Sequence, residues 1–306
     1  MIDRRSAGGR DRDLPLASVI VPVKDGVDLL IRCVDALLGQ DYPPDRFEVI
    51  IADNGSATSP AGAVPDDPRV TVIDEPRPGS YAARNAALKR ASGEILAFTD
   101  ADCLPDRGWL RTAAGFLVDN PDVAMIGGQV RLEYRHGEPR NGPEWFEFVQ
   151  GFPQEDYLRT GFAVTANMVT RRAVFDRIGD FDASLLSGGD AEWGRRVRSA
   201  GLGQRFLSDA VVHHPARDTW DELATKTRRT TTGIVRRTAR GARPRGRVAR
   251  LLAGQLVRSV ILPISVVRRH DLPTWSARAR FLLTRWRVDA IIAGILVRGL
   301  VHPRGS

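Results

Sequence analysis

Runs of apolar, mostly β-branched residues recur along the first hundred residues, and amphipathic stretches separate them. Two of these runs, Ala17–Val23 and Phe47–Asp53, are dominated by apolar residues. This is typical of strands in a parallel sheet that is covered on both faces. Such strands alternate here with helical patterns, which predicts an α/β fold. The other elements predicted in this region are strands over 70–73 and 94–99 and helices over about 26–40 and 80–91.

The same alternation continues to about residue 213 and then stops. Beyond that point the chain becomes Arg-rich and helical, with a boundary predicted near 215–225. We therefore predict a mixed, mainly parallel sheet with flanking helices over 15–220, a basic helical segment over 221–306 and a disordered tail over 1–14. The elements predicted after residue 100 are helices over 106–120, 171–178 and 189–200 and strands over 123–125, 129–134, 162–170 and 204–213.

Charge divides the chain in the same place. The 306 residues are 42% hydrophobic and 27% charged, which is ordinary for a globular protein with one large domain and an appendage. Residues 226–306 hold 19 Lys and Arg but only two acidic residues, whereas the first 225 residues hold 26 basic and 35 acidic ones. An acidic body joined to a basic segment predicts a polyanionic partner for that segment, either nucleic acid or an anionic leaflet.

The cysteines and the N-terminus favour a reducing cytoplasm. Cys33 and Cys103 lack the spacing of a disulfide framework or a structural zinc site. The first fourteen residues contain no apolar stretch typical of a secretory signal.

Acidic residues follow three of the predicted strands. Asp25 follows the first, Asp53 ends the second, and Asp100 and Asp102 follow the strand over 94–99. Ligands of open parallel sheets gather at such strand ends. Two carboxylates one residue apart on a turn can converge on a hard cation, Mg²⁺ or Mn²⁺, whose remaining ligands would be water and substrate phosphate oxygens. The alternative is that Asp100 caps the next helix and Asp102 is solvated.

Two further stretches combine glycine with charged residues at predicted helix starts. Arg77, Gly79 and Arg84 surround the start of the helix over 80–91, where free backbone N–H groups favour a phosphate. A capped helix with surface arginines explains them equally well. Asp190 begins the helix over 189–200 and is either a catalytic base or a helix cap. His214 ends the last strand as a metal or phosphate ligand, or as a structural histidine.

Taken together and in this order, these pieces resemble the family-two glycosyltransferases of the GT-A fold over about residues 17–225. Six stretches in register carry the resemblance. They are VIVPVKD at 19–25, ADNGS at 52–56, ARN at 83–85, TDAD at 99–102, IGDFD at 178–182 and GDAEW at 189–193.

The resemblance implies a donor site for a nucleoside-diphosphate sugar. Asp25 and Asp53 would contact the base, usually uracil, and Arg77 or Arg84 would lie near the base or the diphosphate. The residues implied in donor binding are Pro22, Lys24, Asp25, Asp53, Arg77, Gly79, Arg84, Asn85, Asp100 and Ala101.

The resemblance also implies the metal ligands and the catalytic base. Asp102 would bind the metal directly, Asp100 would lie nearer the ribose or metal-bound water, and His214 would approach the metal or the diphosphate. Asp190 would take the proton of the acceptor hydroxyl, and residues 166–168 would border the acceptor. The implied reaction inverts the anomeric centre and needs no covalent glycosyl-enzyme.

One departure from the family pattern concerns the base. The family usually has Glu-Asp where this chain has Gly189-Asp190, so one carboxylate is missing. Asp190 is the better candidate, with Glu192 as the fallback because it lies on the first helical turn.

The basic segment favours a membrane surface over nucleic acid. Residues 226–250 hold ten basic residues and no acidic one, and the apolar stretch over 251–267 is interrupted by Gln255, Arg258 and Pro263. A central arginine makes this stretch a poor membrane span, but it suits an amphipathic helix on an anionic leaflet. Helices packed on the body or on each other are the alternative. Few aromatic residues accompany the arginines, so nucleic-acid binding is not predicted.

The sequence thus predicts an inverting, Mg²⁺- or Mn²⁺-dependent glycosyltransferase at the cytoplasmic face of the membrane. It would move one sugar, with a UDP-sugar favoured as donor, to a lipid-linked or cell-envelope glycan precursor. Two alternatives remain. A non-catalytic nucleotide-sugar or nucleic-acid binding protein would show no metal-dependent turnover, and a nucleotidyltransferase would release pyrophosphate rather than a nucleoside diphosphate.

Overall fold

The computed structural model describes residues 14–239 and 244–301. The tail predicted over 1–14 falls outside the described residues except for Leu14, which is buried. The chain forms two compact units. Unit 1 comprises residues 1–131 and 152–214, and unit 2 comprises residues 132–151 and 215–306. The stretch 132–151, which the sequence analysis assigned to the catalytic domain, therefore groups with the C-terminal segment.

The strands form one mixed eight-stranded sheet, in the order β3-β2-β1-β4-β7-β6-β8-β5. Strands β1 to β4 pair in parallel, whereas β7 pairs antiparallel with β4 and β6, and β5 pairs antiparallel with β8. The predicted mixed sheet is confirmed, with a parallel and an antiparallel part. The strands are β1 Ala17–Val23, β2 Phe47–Asp53, β3 Val70–Asp74, β4 Ile95–Phe98, β5 Leu104–Pro105, β6 Val123–Glu133, β7 Met168–Arg171 and β8 Gly203–Pro215.

Helices cover both faces of the parallel strands in unit 1. Along β1, Val19 and Val21 belong to one core cluster and Ile20 to another, because neighbouring side chains point to opposite faces. This is why the strand has no polar face. The helices of unit 1 are α1 Val27–Leu38, α2 Ser80–Arg90, α3 Trp109–Asp119, α5 Gln154–Arg159, α6 Arg172–Ile178 and α7 Gly189–Ser199.

Three predictions of elements were wrong in part. The strands predicted over 123–125 and 129–134 form the single strand β6. The strand predicted over 162–170 begins only at Met168, after a short 3-10 turn, Thr165–Asn167. Strand β5, helix α5 and the unit 2 helix α4, Gly142–Gln150, were not predicted.

Unit 2 is helical and holds buried charges. Its helices are α4, α8 Trp220–Ala239, α9 Pro244–Val267 and α10 Trp275–Val301, so the predicted basic helical extension is present. Glu147 of α4, 1% exposed, accepts from Arg217 at 2.9 Å and Lys226 at 3.0 Å. Asp289 of α10, 5% exposed, accepts from Gln255 and Ser259 of α9, each at 2.6 Å. These contacts satisfy carboxylates that would otherwise be costly to bury.

Candidate active site

The centre of the candidate site is a group of metal-ligand side chains beside the end of β4. Potential ligand atoms of Asp100, Asp102, Cys103 and His214 all lie within 4.8 Å of one another. The backbone N–H of Cys103 donates to the carbonyl of Asp100 at 3.0 Å, which closes a tight turn and turns both carboxylates to one side.

Strand pairing brings His214 to this turn from far along the chain. The two-residue strand β5 pairs with β8 in the register Leu104 opposite His213. His214 Nε2 therefore lies 3.7 Å from Asp102 Oδ2. Its imidazole is buried, with its ring centroid 4.8 Å from that of Phe152.

This donor set fits a divalent cation that prefers oxygen and nitrogen ligands. The two carboxylates suit Mn²⁺ and Mg²⁺, whereas the imidazole is a more usual ligand of transition metals than of Mg²⁺. Burial, followed by the nearby charge of Asp100, raises the pKa of Cys103 well above its ordinary value. A soft sulfur ligand is also poorly matched to a hard cation, so we expect the two carboxylates to be the main ligands. Sequence reasoning had not placed Cys103 here, although it directly follows Asp102.

Arg84 connects helix α2 to the same turn. Its guanidinium is 3% exposed and forms an ion pair with Asp100 Oδ1. The Nε of Arg84 is buried and makes no hydrogen bond among the described residues. A buried guanidinium beside the acidic turn offsets part of its negative charge.

Asp190, the predicted base, lies at the start of α7. Its Oδ1 accepts from the hydroxyl of Tyr81 at 3.1 Å and from the backbone N–H of Ala191 at 2.8 Å. Burial raises the pKa of Asp190 above its ordinary value, and the helix itself is capped by Gly188 rather than by Asp190. Glu192, the fallback, forms an ion pair with Arg196 at 2.9 Å.

The two residues predicted to contact the nucleotide base lie at the ends of adjacent strands. Strands β1 and β2 pair with Val23 opposite Asp53, so the loops that follow them are neighbours. Asp53 Oδ1 accepts from the N–H and hydroxyl of Ser56 at 2.9 and 2.6 Å. Asp25 has φ 60° and accepts from the N–H of Ala57 at 2.8 Å. Pro22 is buried in β1, and Lys24 is exposed.

Asn54 organises the turn that carries Arg77 and Gly79. Its amide donates to the carbonyls of Glu75 and Arg77 at 2.9 and 2.7 Å and accepts from the N–H of Gly79 at 2.7 Å. Gly79 has φ 118°, which an L side chain rarely adopts. The Arg77 guanidinium is 62% exposed and pairs with Glu75. The predicted set omitted Asn54, although the ADNGS stretch contains it.

Three other parts of the predicted site have structural contacts. Both ends of the Asn85 amide bond the backbone of Phe181, at 2.8 and 3.1 Å. The side chains of residues 166–168 are all buried, and Asn167 donates to the carbonyls of Gln129 and Ala210. Ala101 packs against the core beside the acidic turn.

A mixed sheet with acidic side chains gathered at the ends of its parallel strands is typical of a GT-A glycosyltransferase. The model of the family described as glycosyl transferase family 2 matches residues 18–179. The chain belongs to this family, as its sequence motifs implied.

Known proteins of this kind are similar over much of the chain. "Glycosyltransferase AglE" of Haloferax volcanii is 33% identical over 210 residues, 67% of this chain and 68% of that protein. "O-antigen biosynthesis protein RfbC" of Myxococcus xanthus is 32% identical over 229 residues, 66% of this chain but only 18% of that protein. The solved mannosyltransferase PcManGT of Pyrobaculum calidifontis, in complex with GDP-Man and Mn²⁺, has a TM-score of 0.66 at 20% identity over 95% of this chain and 88% of that one. It supports the fold.

Proposed function

We propose that this glycosyltransferase is inverting and metal-dependent, and that it moves one sugar from a nucleoside-diphosphate sugar to an acceptor hydroxyl. The observation that carries the proposal is the meeting of Asp100, Asp102 and His214 within 4.8 Å. Two segments far apart in sequence, the turn over 100–103 and the end of β8, make this site. A UDP-sugar is the favoured donor from the family resemblance, and the GDP-Man bound to PcManGT makes GDP-sugars the second class to test.

Asp102 and His214 would hold Mn²⁺ or Mg²⁺, with Asp100 beside them. The bound cation would stabilise the negative charge that develops on the leaving diphosphate. Arg84 keeps Asp100 oriented through their ion pair. Asp25 and Asp53 would contact the nucleotide base of the donor. The remaining donor-site residues are Pro22, Lys24, Arg77, Gly79, Asn85 and Ala101.

Asp190 would accept the proton of the acceptor hydroxyl. Its pKa is raised by burial, which strengthens the carboxylate as a base. Attack from the face opposite the diphosphate inverts the anomeric centre. The protein orients the two substrates, and no side chain needs to form a bond to the sugar.

The experiment is a panel of UDP- and GDP-sugars incubated with the full chain, with Mn²⁺ or with EDTA. We expect a nucleoside diphosphate to be released from one donor only with the metal. The Asp102→Asn variant should lose this turnover, whereas Asp119→Asn, at the end of α3, should keep it. Release of pyrophosphate would indicate a nucleotidyltransferase, and donor binding without metal-dependent turnover would indicate a binding protein.

The acceptor class follows from the basic unit and from the relatives. The RfbC name refers to O-antigen biosynthesis, and we assign this chain a lipid-linked or cell-envelope glycan precursor as acceptor. Transfer to a polyprenyl-linked sugar would support this assignment. Transfer to soluble oligosaccharides alone would contradict it.

The surface of unit 2 supports the proposal of binding to an anionic membrane surface, and the cytoplasmic side is proposed from the sequence alone. Helix α9 exposes a row of apolar side chains within an arc of about 140° on a helical projection. Its flanking residues Arg247, Arg250 and Arg268 are exposed. Apolar and basic groups together fit an anionic leaflet. The residues of this row are Leu256, Val257, Val260, Ile261, Ile264 and Val267, and the exposed Leu251 lies outside it.

Helix α9 also has the length and composition of a membrane span, over Arg245–Val267, and little of it is buried. The sequence analysis judged this stretch a poor span, and the peripheral interpretation remains our proposal because Arg258 lies in its middle. Cosedimentation with vesicles tests it. We expect the chain to bind phosphatidylglycerol vesicles and to be released by high salt, and extraction only by detergent would indicate a span instead.

A further inference from the structure

Gly189 and Tyr81 lie in unusually close contact. A Cβ at position 189 would stand 2.8–2.9 Å from three atoms of the Tyr81 ring. Gly189 has no positive φ, so backbone conformation does not require a glycine there. The glycine is instead explained by space, because the ring of Tyr81 lies where a side chain would begin.

The position of the Tyr81 ring is set by its neighbours in the core. Its centroid lies 5.6 Å from that of Phe181 and 5.7 Å from the guanidinium carbon of Arg84. The side chain is 5% exposed. Burial holds the pKa of Tyr81 well above its ordinary value. The phenol therefore keeps its proton and acts as a hydrogen-bond donor.

That donor reaches Asp190 and distinguishes its two oxygens. Oδ1 accepts from the Tyr81 hydroxyl at 3.1 Å and from the N–H of Ala191 at 2.8 Å. Among the described residues no hydrogen bond is made to Oδ2, and Asp190 as a whole residue is half-buried. Two donors on Oδ1 fix the rotation of the carboxylate and leave Oδ2 as the oxygen that can take a proton.

We propose that Tyr81 is the positioning residue of Asp190, and that Gly189 is the glycine that makes room for it. The proposal rests on the base role of Asp190 given above. The acceptor O–H proton would pass to Oδ2, the acceptor oxygen would bond to the anomeric carbon, and the diphosphate would leave. Tyr81 keeps its own proton throughout. The Tyr81 ring thus lies against position 189, where this chain has a glycine in place of the family's first carboxylate.

The groups around Asp190 determine the direction in which its pKa should move when the Tyr81 hydroxyl is removed. Arg84 on α2 lowers the pKa of Asp190, Asp100 after β4 raises it, and burial raises it most. On α7 itself, Glu192 is paired with Arg196. Removing the Tyr81 hydroxyl removes a donor to the ionised carboxylate, so the pKa of Asp190 should rise further. If the pKa of Asp190 rises, the carboxylate becomes protonated at a higher pH. The loss of activity on acidification should therefore begin at a higher pH than in the wild type.

The test is Tyr81→Phe, which keeps the ring and removes the hydroxyl. In protein with ¹³C-labelled aspartate carboxyls, the Asp190 signal is identified by its absence in Asp190→Asn. We expect the titration midpoint of the Asp190 signal to rise by about one pH unit in Tyr81→Phe. A shift of this size corresponds to the free energy of one hydrogen bond to a charged group. The acidic limb of kcat for the active donor of the panel should move by the same amount, with KM for the donor unchanged.

Tyr42→Phe is the matched control. Tyr42 is also 5% exposed, and its hydroxyl donates to the carbonyl of Pro15 at 2.5 Å. This variant should lose comparable stability without moving the Asp190 midpoint. An unchanged midpoint in Tyr81→Phe, or an equal shift in Tyr42→Phe, would overturn the positioning role. A shifted midpoint with full turnover in Asp190→Asn would instead keep the positioning role and reject the proposed base.

The Gly189→Ala variant tests whether the glycine is needed to make room for the Tyr81 ring. The new Cβ must displace the Tyr81 ring, so the Asp190 midpoint should rise in the wild-type background as it does in Tyr81→Phe. In the Tyr81→Phe background the same change should add little, because the hydrogen bond is already gone. Additive shifts of the midpoint would contradict a shared mechanism.

Discussion

The two units differ in where their carboxylates gather and in how many large apolar side chains a single helix exposes. In unit 1 the apolar residues fill two clusters around the sheet, and charged groups gather at the ends of its parallel strands. In unit 2 carboxylates such as Glu147 and Asp289 are buried, while Val260 of α9 is 77% exposed. Apolar residues on the outside of a folded unit mark an interaction surface. The proposed function divides the work in the same way, because unit 1 would perform the chemistry and unit 2 would bind the lipid surface.

If this division is correct, a substitution in one unit should leave the other unit's activity unchanged. The predictions below test it. The first measures both activities in one variant, and each of the others compares a change in unit 2 with a matched change in unit 1.

The largest effect is expected for Asp190→Asn in unit 1. Loss of the proton acceptor should lower kcat by about 10²–10⁴-fold, the usual contribution of a general base. Donor affinity and vesicle binding should remain as in the wild type. Steady-state transfer, donor titration and cosedimentation measure the three quantities. A parallel loss of vesicle binding would show that the two units are not independent.

The second prediction concerns the buried ion pairs of unit 2. Glu147→Gln leaves Arg217 and Lys226 beside an uncharged amide, and burial already lowers the pKa of Lys226. We expect a loss of about 3 kcal/mol in the free energy of unfolding, because a broken buried pair leaves uncompensated charge. Urea unfolding measures it.

The matched control is Glu155→Gln in unit 1, whose ion pair with Arg159 is exposed. It should cost at most about 0.5 kcal/mol. Equal losses for the two variants would contradict the special role of buried charge in unit 2.

The parallel strands β1 to β4 and the motifs of unit 1 were predictable because each depends on a local pattern. Ala17–Val23 is an apolar run in any context, and Asp100 and Asp102 follow such a run directly. The approach of His214 to Asp102 was implied only by family resemblance. It depends on β5, a two-residue strand that is too short to show periodicity.

Other features were hidden by distance along the chain. Tyr81 and Asp190 are 109 residues apart and share no motif. Helix α4 was missed although its capping box, Asn141 with Glu144, is a signal that a closer examination of the sequence could have found. Its membership of unit 2 depends on tertiary contacts, such as those of Glu147, which no local pattern reveals.

The third prediction tests the apolar surface. Val260→Asp removes an exposed apolar side chain from α9 and adds a charge, and we expect vesicle binding to weaken roughly 30-fold, from about 2 kcal/mol of lost burial. Val118→Asp is the control, because Val118 on α3 of unit 1 is 44% exposed. It should leave binding unchanged. Turnover of a soluble donor should be normal in both variants, and an unaffected affinity in Val260→Asp would remove α9 from the lipid surface.

The smallest effect is expected for a single flanking charge. Arg250 is exposed and lies within about 40° of Ile264 on a helical projection of α9. Arg250→Gln should weaken binding to phosphatidylglycerol vesicles about fivefold, the equivalent of about 1 kcal/mol for one basic residue at an anionic surface. The difference should vanish in high salt and on phosphatidylcholine vesicles, because it is electrostatic. Arg32→Gln, an exposed arginine on α1 of unit 1, is the control. If both variants weakened binding equally, the attraction would come from the net charge of the chain and not from a surface on unit 2.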